Sequence, residues 1–184
     1  MILSKRPSLL ELRDRLGQQK ALQKREFLVC SSIPQGVPRG VICEATGTAR
    51  TEWMISILAE NPKLATFWVE DRLSILPTAL HQRGIDLTRV LIAEAGDKLF
   101  QTLRKALRSR LFDCIVLPGV IEQVKMLKAL QLFARDSNAA VFFLSKKEKN
   151  AWTIPFQIHV DWDSSVRSYT IEILKSKFSH SESI

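Results

Sequence analysis

Residues 44–51, Glu-Ala-Thr-Gly-Thr-Ala-Arg-Thr, stand where an α/β protein could bind a phosphate group. The apolar run at 41–43 predicts a strand before them, and the amphipathic segment 51–60 predicts a helix after them. In a tight loop between a strand and a helix, backbone N–H groups point toward an anion at the helix N-terminus. This order of elements is that of the P-loop, whose chemistry is the binding of nucleoside triphosphates.

The loop nevertheless lacks the residues that hold a triphosphate. A P-loop needs glycine at both ends of four variable residues, followed by Lys and then by Ser or Thr. Aligning Arg50 and Thr51 with that pair puts Glu44 and Ala49 at the glycine positions and Gly47 among the variable residues. The Glu44 carboxylate would face the phosphate, and the Ala49 Cβ would lie where positive φ is needed. Only Thr51 keeps its type, so we expect a degenerate nucleotide loop with no catalytic residue and no cofactor. The alternative is a strand-to-helix turn of other origin.

Composition indicates one soluble globular domain. The chain has 184 residues, of which 46% are hydrophobic and 25% charged. It has no apolar run long enough to span a membrane, and residues 1–6 lack the apolar core of a signal peptide, so we expect a cytoplasmic protein. The three cysteines have no metal-ligand spacing, and no metal site is predicted. A net charge of +8 is typical either of a nucleic-acid partner or of a merely basic surface.

Three regions follow from the pattern along the chain. Leucines at helical spacing in 7–25 predict an amphipathic helix within an N-terminal appendage, residues 1–32. This helix would either pack over a sheet edge or serve as a partner-binding arm. Prolines and glycines then mark a loop before the core domain, residues 33–175, and a serine-rich stretch, 176–184, predicts a flexible tail.

Within the core, strands and helices alternate. Apolar runs predict further strands at 64–69, 90–93, 114–117 and 139–144, and helices at 77–83, 97–109 and 121–135. Repeats of this kind predict a parallel sheet with right-handed crossovers. The last two apolar runs, 156–160 and 169–174, are joined by a polar turn at 161–168 and predict an antiparallel hairpin that closes the sheet.

In this order of elements the chain resembles the ATPase core of the RecA recombinase over residues 33–175. The similar stretches are 33–44 before the loop, Phe-Trp-Val-Glu-Asp at 67–71, Phe-Asp-Cys-Ile-Val-Leu-Pro at 112–118, Ala-Val-Phe-Phe-Leu-Ser at 140–145, and the terminal hairpin. Residues 81–91, 102–110 and 169–175 look like those of the small RecA-related proteins of the ImuA and SulA type. The resemblance implies an α/β fold of three layers, RecA-like, with a mostly parallel central sheet, a C-terminal antiparallel hairpin and a degenerate P-loop.

The chain departs from the RecA pattern at its catalytic positions. Where the Walker B strand should end in a carboxylate that holds Mg²⁺ through water, the residues are Leu117 and Pro118. A catalytic glutamate would fall near Glu70 or Asp71, either of which is a relic of that residue or, as we favour, a solvated acidic helix cap. The two loops that contact DNA in the recombinase are shortened, so a filament on DNA is not implied.

Basic and aromatic residues give the remaining candidates for contact with DNA or with a partner. A helix face at 104–108 and the loop after the strand at 139–144 carry the basic residues, and a tryptophan follows that loop. Each has a plainer interpretation as a solvated helix face, a polar loop or a packing aromatic. The histidines stand near no predicted nucleophile, so no Ser/His/Asp or Cys/His set is predicted. The candidates are Arg104, Arg108, Lys146, Lys147, Lys149 and Trp152.

The resemblance to ImuA implies a non-catalytic adaptor, or pseudo-ATPase, in the SOS response to DNA damage. Its partners would be a Y-family-polymerase-like protein, an error-prone DnaE-type polymerase or RecA, and its process error-prone translesion synthesis and mutagenesis, with DNA as a further candidate. One alternative is a SulA-like division inhibitor that binds FtsZ. Another is a divergent RecA-like ATPase that completes its site with residues of a neighbouring subunit.

Overall fold

The protein folds around one large sheet. Its computed structural model describes residues 26–149, 152–165 and 167–178. The strands are β1 (Phe27–Leu28), β2 (Val37–Pro38), β3 (Ile42–Thr46), β4 (Thr66–Glu70), β5 (Val90–Glu94), β6 (Cys114–Pro118), β7 (Ala140–Leu144), β8 (Phe156–Asp163) and β9 (Ser168–Ser176). The α-helices are α1 (Arg50–Glu60), α2 (Pro77–Gln82), α3 (Leu99–Ser109) and α4 (Val124–Ser137), and short 3₁₀ turns lie at Leu87–Arg89 and Gly96–Lys98.

Seven strands form the main sheet in the order β5-β4-β6-β7-β3-β8-β9. Every neighbouring pair is parallel except β8 and β9, which pair antiparallel. The prediction of a mostly parallel α/β sheet closed by an antiparallel hairpin is therefore confirmed. β1 and β2 form a separate antiparallel pair.

Helices cover both faces of this sheet. On one face, Trp53 and Ile57 of α1 pack into a cluster with Phe142 of β7, and the Trp53 and Phe142 rings meet edge to face at 5.8 Å. On the other face, Leu103 of α3 and Leu127 of α4 pack into a second cluster. Each helix buries an apolar stripe against the sheet, which gives three layers.

Successive side chains of β3 and β8 point alternately to these two faces of the sheet. Phe156, Ile158 and Val160 of β8 are buried in the cluster under α1. The intervening residues of β8, which are polar, therefore lie on the opposite face of the sheet. Glu44 and Thr46 of β3 lie on that same face, because the apolar residues between and before them belong to the α1 cluster. Two adjacent central strands thus place a polar strip on one face.

Several boundaries differ from the predictions by one to a few residues, and three of these differences matter most. β3 continues to Thr46 because its last residues pair with both β7 and β8. α4 begins at Val124 rather than at 121, since Gln123 has an extended backbone. The hairpin strands extend to Asp163 and start again at Ser168, so Asp161 lies in β8 and not in the predicted turn. The predicted N-terminal helix lies outside the described residues, as do residues 179–184 of the predicted tail.

In the part of the chain that the structure describes, each helix is too short or too polar for a membrane span.

Candidate functional site

A cleft lies at the carboxyl edge of the sheet, where the ends of β4, β6 and β7 meet the start of α1. Its volume is about 370 Å³. β4 and β6 are neighbours in the sheet. From β4 the chain crosses to β5 on one side, and from β6 it crosses to β7 on the other side, so the cleft lies where the strand order reverses. Open α/β sheets bind ligands at such a position. The residues that line it include Arg50, Thr51, Glu70, Asp71, Arg72, Leu117 and Pro118.

The loop between β3 and α1 is much shorter than a P-loop. It consists of Gly47, Thr48 and Ala49, because the residues before it belong to β3 and Arg50 and Thr51 already belong to α1. The prediction that Glu44 occupies a loop position was wrong. Its backbone pairs with β7 and β8 inside the sheet, so only three residues remain to turn from strand to helix.

The amides of this loop donate to acceptors within the protein. Thr48 N donates to Asp161 Oδ1 at 2.8 Å, and Ala49 N donates to the carbonyl of Val160 at 3.0 Å. The Thr48 hydroxyl also donates to Asp161 Oδ1 and accepts from the Trp162 amide. A carboxylate of β8 therefore takes the place that an external anion would take at the amide of Thr48.

Gly47 allows the loop to lie directly on β8. Its φ is +90°, and an added Cβ would overlap the carbonyl oxygen of Val160. Any side chain here would force the loop backbone away from the backbone of β8. Gly47 therefore serves the contact with β8 in this structure.

Arg50 turns back toward the loop. Its Nη1 donates to the carbonyl of Gly47 at 2.6 Å, and its Nε is buried without a hydrogen-bond partner among the described residues. The neighbouring Thr51 is exposed at the start of α1 and lines the cleft. The guanidinium that the sequence aligns with the P-loop lysine thus bonds to the loop itself.

A hydroxyl, an imidazole and a carboxylate stand in a row beside this loop. Thr46 Oγ1 lies 3.0 Å from His159 Nδ1, and His159 Nε2 lies 2.9 Å from Asp161 Oδ2. Two hydrogen bonds lower the pKa of Asp161. The larger effect comes from the Thr48 amide and the next largest from His159, so the carboxylate is charged near neutral pH. Thr46 is only 3% exposed and its hydroxyl also donates to the Ile158 carbonyl, so it is not positioned as a nucleophile for an external substrate. The row holds the loop against β8.

Sequence reasoning missed this network. His159 and Asp161 are two residues apart in a strand, so their side chains emerge on the same face. That spacing was the available signal, but it was obscured because Asp161 was assigned to a turn. The contact from Thr48 to Asp161 also spans 113 positions of sequence.

Glu44 is the centre of a second, buried polar cluster. Its carboxylate accepts from Ser145 Oγ at 2.6 Å, from Gln157 Nε2 at 2.7 Å and from the Lys149 amide at 3.1 Å. The Lys149 ammonium lies 3.6 Å from the carboxylate and donates to Ser145 Oγ and to the carbonyl of Gly119. The cluster pins the loops after β6 and β7 to the end of β3.

The other predicted contact residues are divided between the surface and this cluster. Lys146 and Lys147 are exposed, whereas the Lys149 side chain is only 14% exposed and is engaged internally, so the structure does not present it for DNA contact. Arg104 and Arg108 lie on the exposed side of α3, with the Arg108 guanidinium 5.3 Å from the centre of the Phe133 ring. Trp152, for which the sequence allowed either contact with a base or partner or packing against the core, is 64% exposed.

Of the two acidic residues at the cleft, Glu70 has structural partners and Asp71 is exposed. Glu70 accepts from Trp68 Nε1, from the amide and hydroxyl of Ser74 and from the Ile75 amide, and so it holds the turn after β4. Leu117 is buried and Pro118 ends β6, as the sequence requires. Among residues 26–149, 152–165 and 167–178, no three His, Cys, Asp or Glu side chains come close enough together to hold a metal ion.

No protein-family model and no curated protein sequence matches the chain. Its function is therefore inferred from the residues and the geometry described above.

Proposed function

We propose that the protein is a RecA-like adaptor that does not hydrolyse ATP and that acts in the response to DNA damage. The observation that carries the proposal is the internal use of the loop amides, Thr48 to Asp161 and Ala49 to Val160. A phosphate at these amides would have to displace a carboxylate and a strand carbonyl. Such a loop favours a retained scaffold over a working nucleotide site.

The surroundings of the loop support the same conclusion. β6 ends in Leu117 and Pro118, neither of which offers an oxygen ligand from its side chain for Mg²⁺. Arg50 bonds to the Gly47 carbonyl. The loop follows a central strand of a mostly parallel sheet with helices on both faces, which is the architecture that the RecA resemblance implies.

Titration calorimetry with MgATP and MgADP, together with a phosphate-release assay, tests the loss of nucleotide handling. We expect no heat of binding from the wild-type protein at nucleotide concentrations up to about 1 mM, which corresponds to less than roughly 4 kcal/mol of binding free energy. Asp161→Ala frees the Thr48 amide, and we expect it to gain weak binding without hydrolysis. Asp136→Ala, remote on α4, is the matched control. Micromolar affinity of the wild type with Mg²⁺-dependent turnover would refute the proposal.

The adaptor role itself is tested with partners and in cells. On the ImuA-like proposal, the purified protein binds a Y-family-polymerase-like protein or a DnaE-type polymerase, and its loss changes damage-induced mutagenesis. Overexpression that leaves division normal agrees with this role. Filamentous cells together with direct binding to FtsZ would instead support the SulA-like alternative.

A further inference from the structure

A groove far from the cleft runs between α4 and the segments that flank the terminal hairpin. Its volume is about 460 Å³, within the usual size of a binding pocket. Its walls come from one turn of α4, from the segment that enters β8 and from the residues that follow β9. The residues that matter here are Lys128, Leu132, Trp152, Pro155, Lys177 and Phe178.

The groove exposes large apolar side chains. Leu132 is 50% exposed and Trp152 is 64% exposed, although both stand beside a well-filled core. Pro155 and Phe178 continue the same wall. Exposed apolar side chains gathered in a concave site, with polar groups at its rim, are characteristic of a surface that binds another molecule.

The rim of the groove is positively charged. The ammonium groups of Lys128 and Lys177 lie 4.9 and 6.0 Å from the centre of the Trp152 ring, and Lys177 also donates to the Trp152 carbonyl. Within the described residues, neither ammonium is paired with a carboxylate and the groove lining contains no Asp or Glu. The field at the groove thus favours an anionic partner.

We propose that this groove binds a peptide segment of a protein partner, in which one apolar side chain is flanked by carboxylates. The apolar side chain would lie between Leu132 and Trp152, and the carboxylates would pair with Lys128 and Lys177. The inference rests on the adaptor role and gives it a docking surface. Single-stranded nucleic acid is a poorer fit, because its phosphates could pair with the lysines but it offers no apolar side chain to cover the exposed aliphatic Leu132.

The probe is a fluorescein-labelled peptide with a single leucine that has two glutamates on either side, and binding is followed by fluorescence anisotropy with the full chain. We expect Lys128→Glu combined with Lys177→Glu to weaken binding by at least about tenfold, since both carboxylate contacts become repulsive. Lys105→Glu combined with Lys147→Glu makes the same change in net charge at exposed lysines on α3 and after β7, outside the groove, and should alter affinity by less than about twofold.

The apolar contact has its own matched pair of variants. Leu132→Ser removes the wall of the groove, whereas Val124→Ser changes an equally exposed apolar residue of α4 outside it. Only the first should weaken binding. Both positions are exposed, and thermal unfolding of each variant verifies that it folds. A control peptide with lysine in place of glutamate should not bind.

Two results would overturn the inference. One is equal weakening by the groove variants and their controls, which would mean that binding depends on overall charge. The other is binding of oligothymidylate through Lys128 and Lys177 with no binding of the acidic peptide. Neither outcome bears on ATP, so a failure here is distinguishable from a failure of the nucleotide test.

Discussion

Replacing Lys149 by methionine should destabilise the protein strongly, because it leaves the buried Glu44 carboxylate without its counter-charge. Glu44 is 1% exposed and its carboxylate lies 3.6 Å from the Lys149 ammonium. Hydrogen bonds from Ser145, Gln157 and the Lys149 amide remain in the variant. They satisfy the oxygens but do not neutralise the charge in a site closed to water.

The magnitude follows from the burial of the pair. Removing one partner of a buried ion pair costs about 3–5 kcal/mol, and in a chain of this size about 1 kcal/mol changes Tm by roughly 2–4 °C. We therefore expect Lys149→Met to lower Tm by about 6–20 °C. Glu44→Gln should cost less, about 1–3 kcal/mol, because the remaining ammonium is still bonded to Ser145 and to the Gly119 carbonyl.

The double variant separates the interaction energy between Glu44 and Lys149 from the interactions of each residue with its surroundings. With both charges gone, the combined loss should be smaller than the sum of the single losses by about 1–3 kcal/mol. Urea and thermal unfolding of the wild type, both single variants and the double variant give this coupling, and Lys147→Met in the same loop is the exposed control. Additive losses, or a Lys149→Met variant as stable as the Lys147→Met control, would refute the reasoning.

Two further predictions concern the loop. Gly47→Ala should lower Tm more than Gly84→Ala. Both glycines have positive φ, but of the two only Gly47 lies where a Cβ would overlap a backbone atom, the Val160 carbonyl oxygen. Equal losses of Tm in the two variants would contradict this. The second concerns Asp161, whose pKa is lowered from 3.8 chiefly by the Thr48 amide. A depressed pKa stabilises the fold above the unfolded-state value and loses that effect as pH falls through the folded one. The Tm difference between wild type and Asp161→Asn should therefore be present at neutral pH and narrow below pH 3.8; a constant difference would show that charge is not involved.

The sheet could be predicted because its strands are continuous apolar runs. The pattern of a strand buried on both faces is strong enough to locate β6 and β7 to within a residue. α3 was predicted correctly to its end for the same reason, since Leu99, Leu103 and Leu107 recur at helical spacing. Local sequence determined these elements.

The site could not be predicted in the same way. Glu44 appeared to be a poor loop residue, and only the partners Ser145, Lys149 and Gln157, all more than 100 positions away, show why a carboxylate stands there. Asp161 appeared to belong to a turn because most of the residues from 161 to 168 are polar. Its pairing with Thr170 of β9 makes it a strand residue, and the apolar pattern of the sequence did not show that the pairing continues this close to the turn.

The alternation of β8 has one further consequence. Sliding this strand by a single residue would bring Gln157, His159 and Asp161 under α1 and turn Phe156, Ile158 and Val160 toward the opposite face. The apolar packing under α1 and the hydrogen bonds from β8 to the loop would be lost together. Two unrelated kinds of interaction therefore fix the register of β8, and a one-residue slip of this strand would lose both.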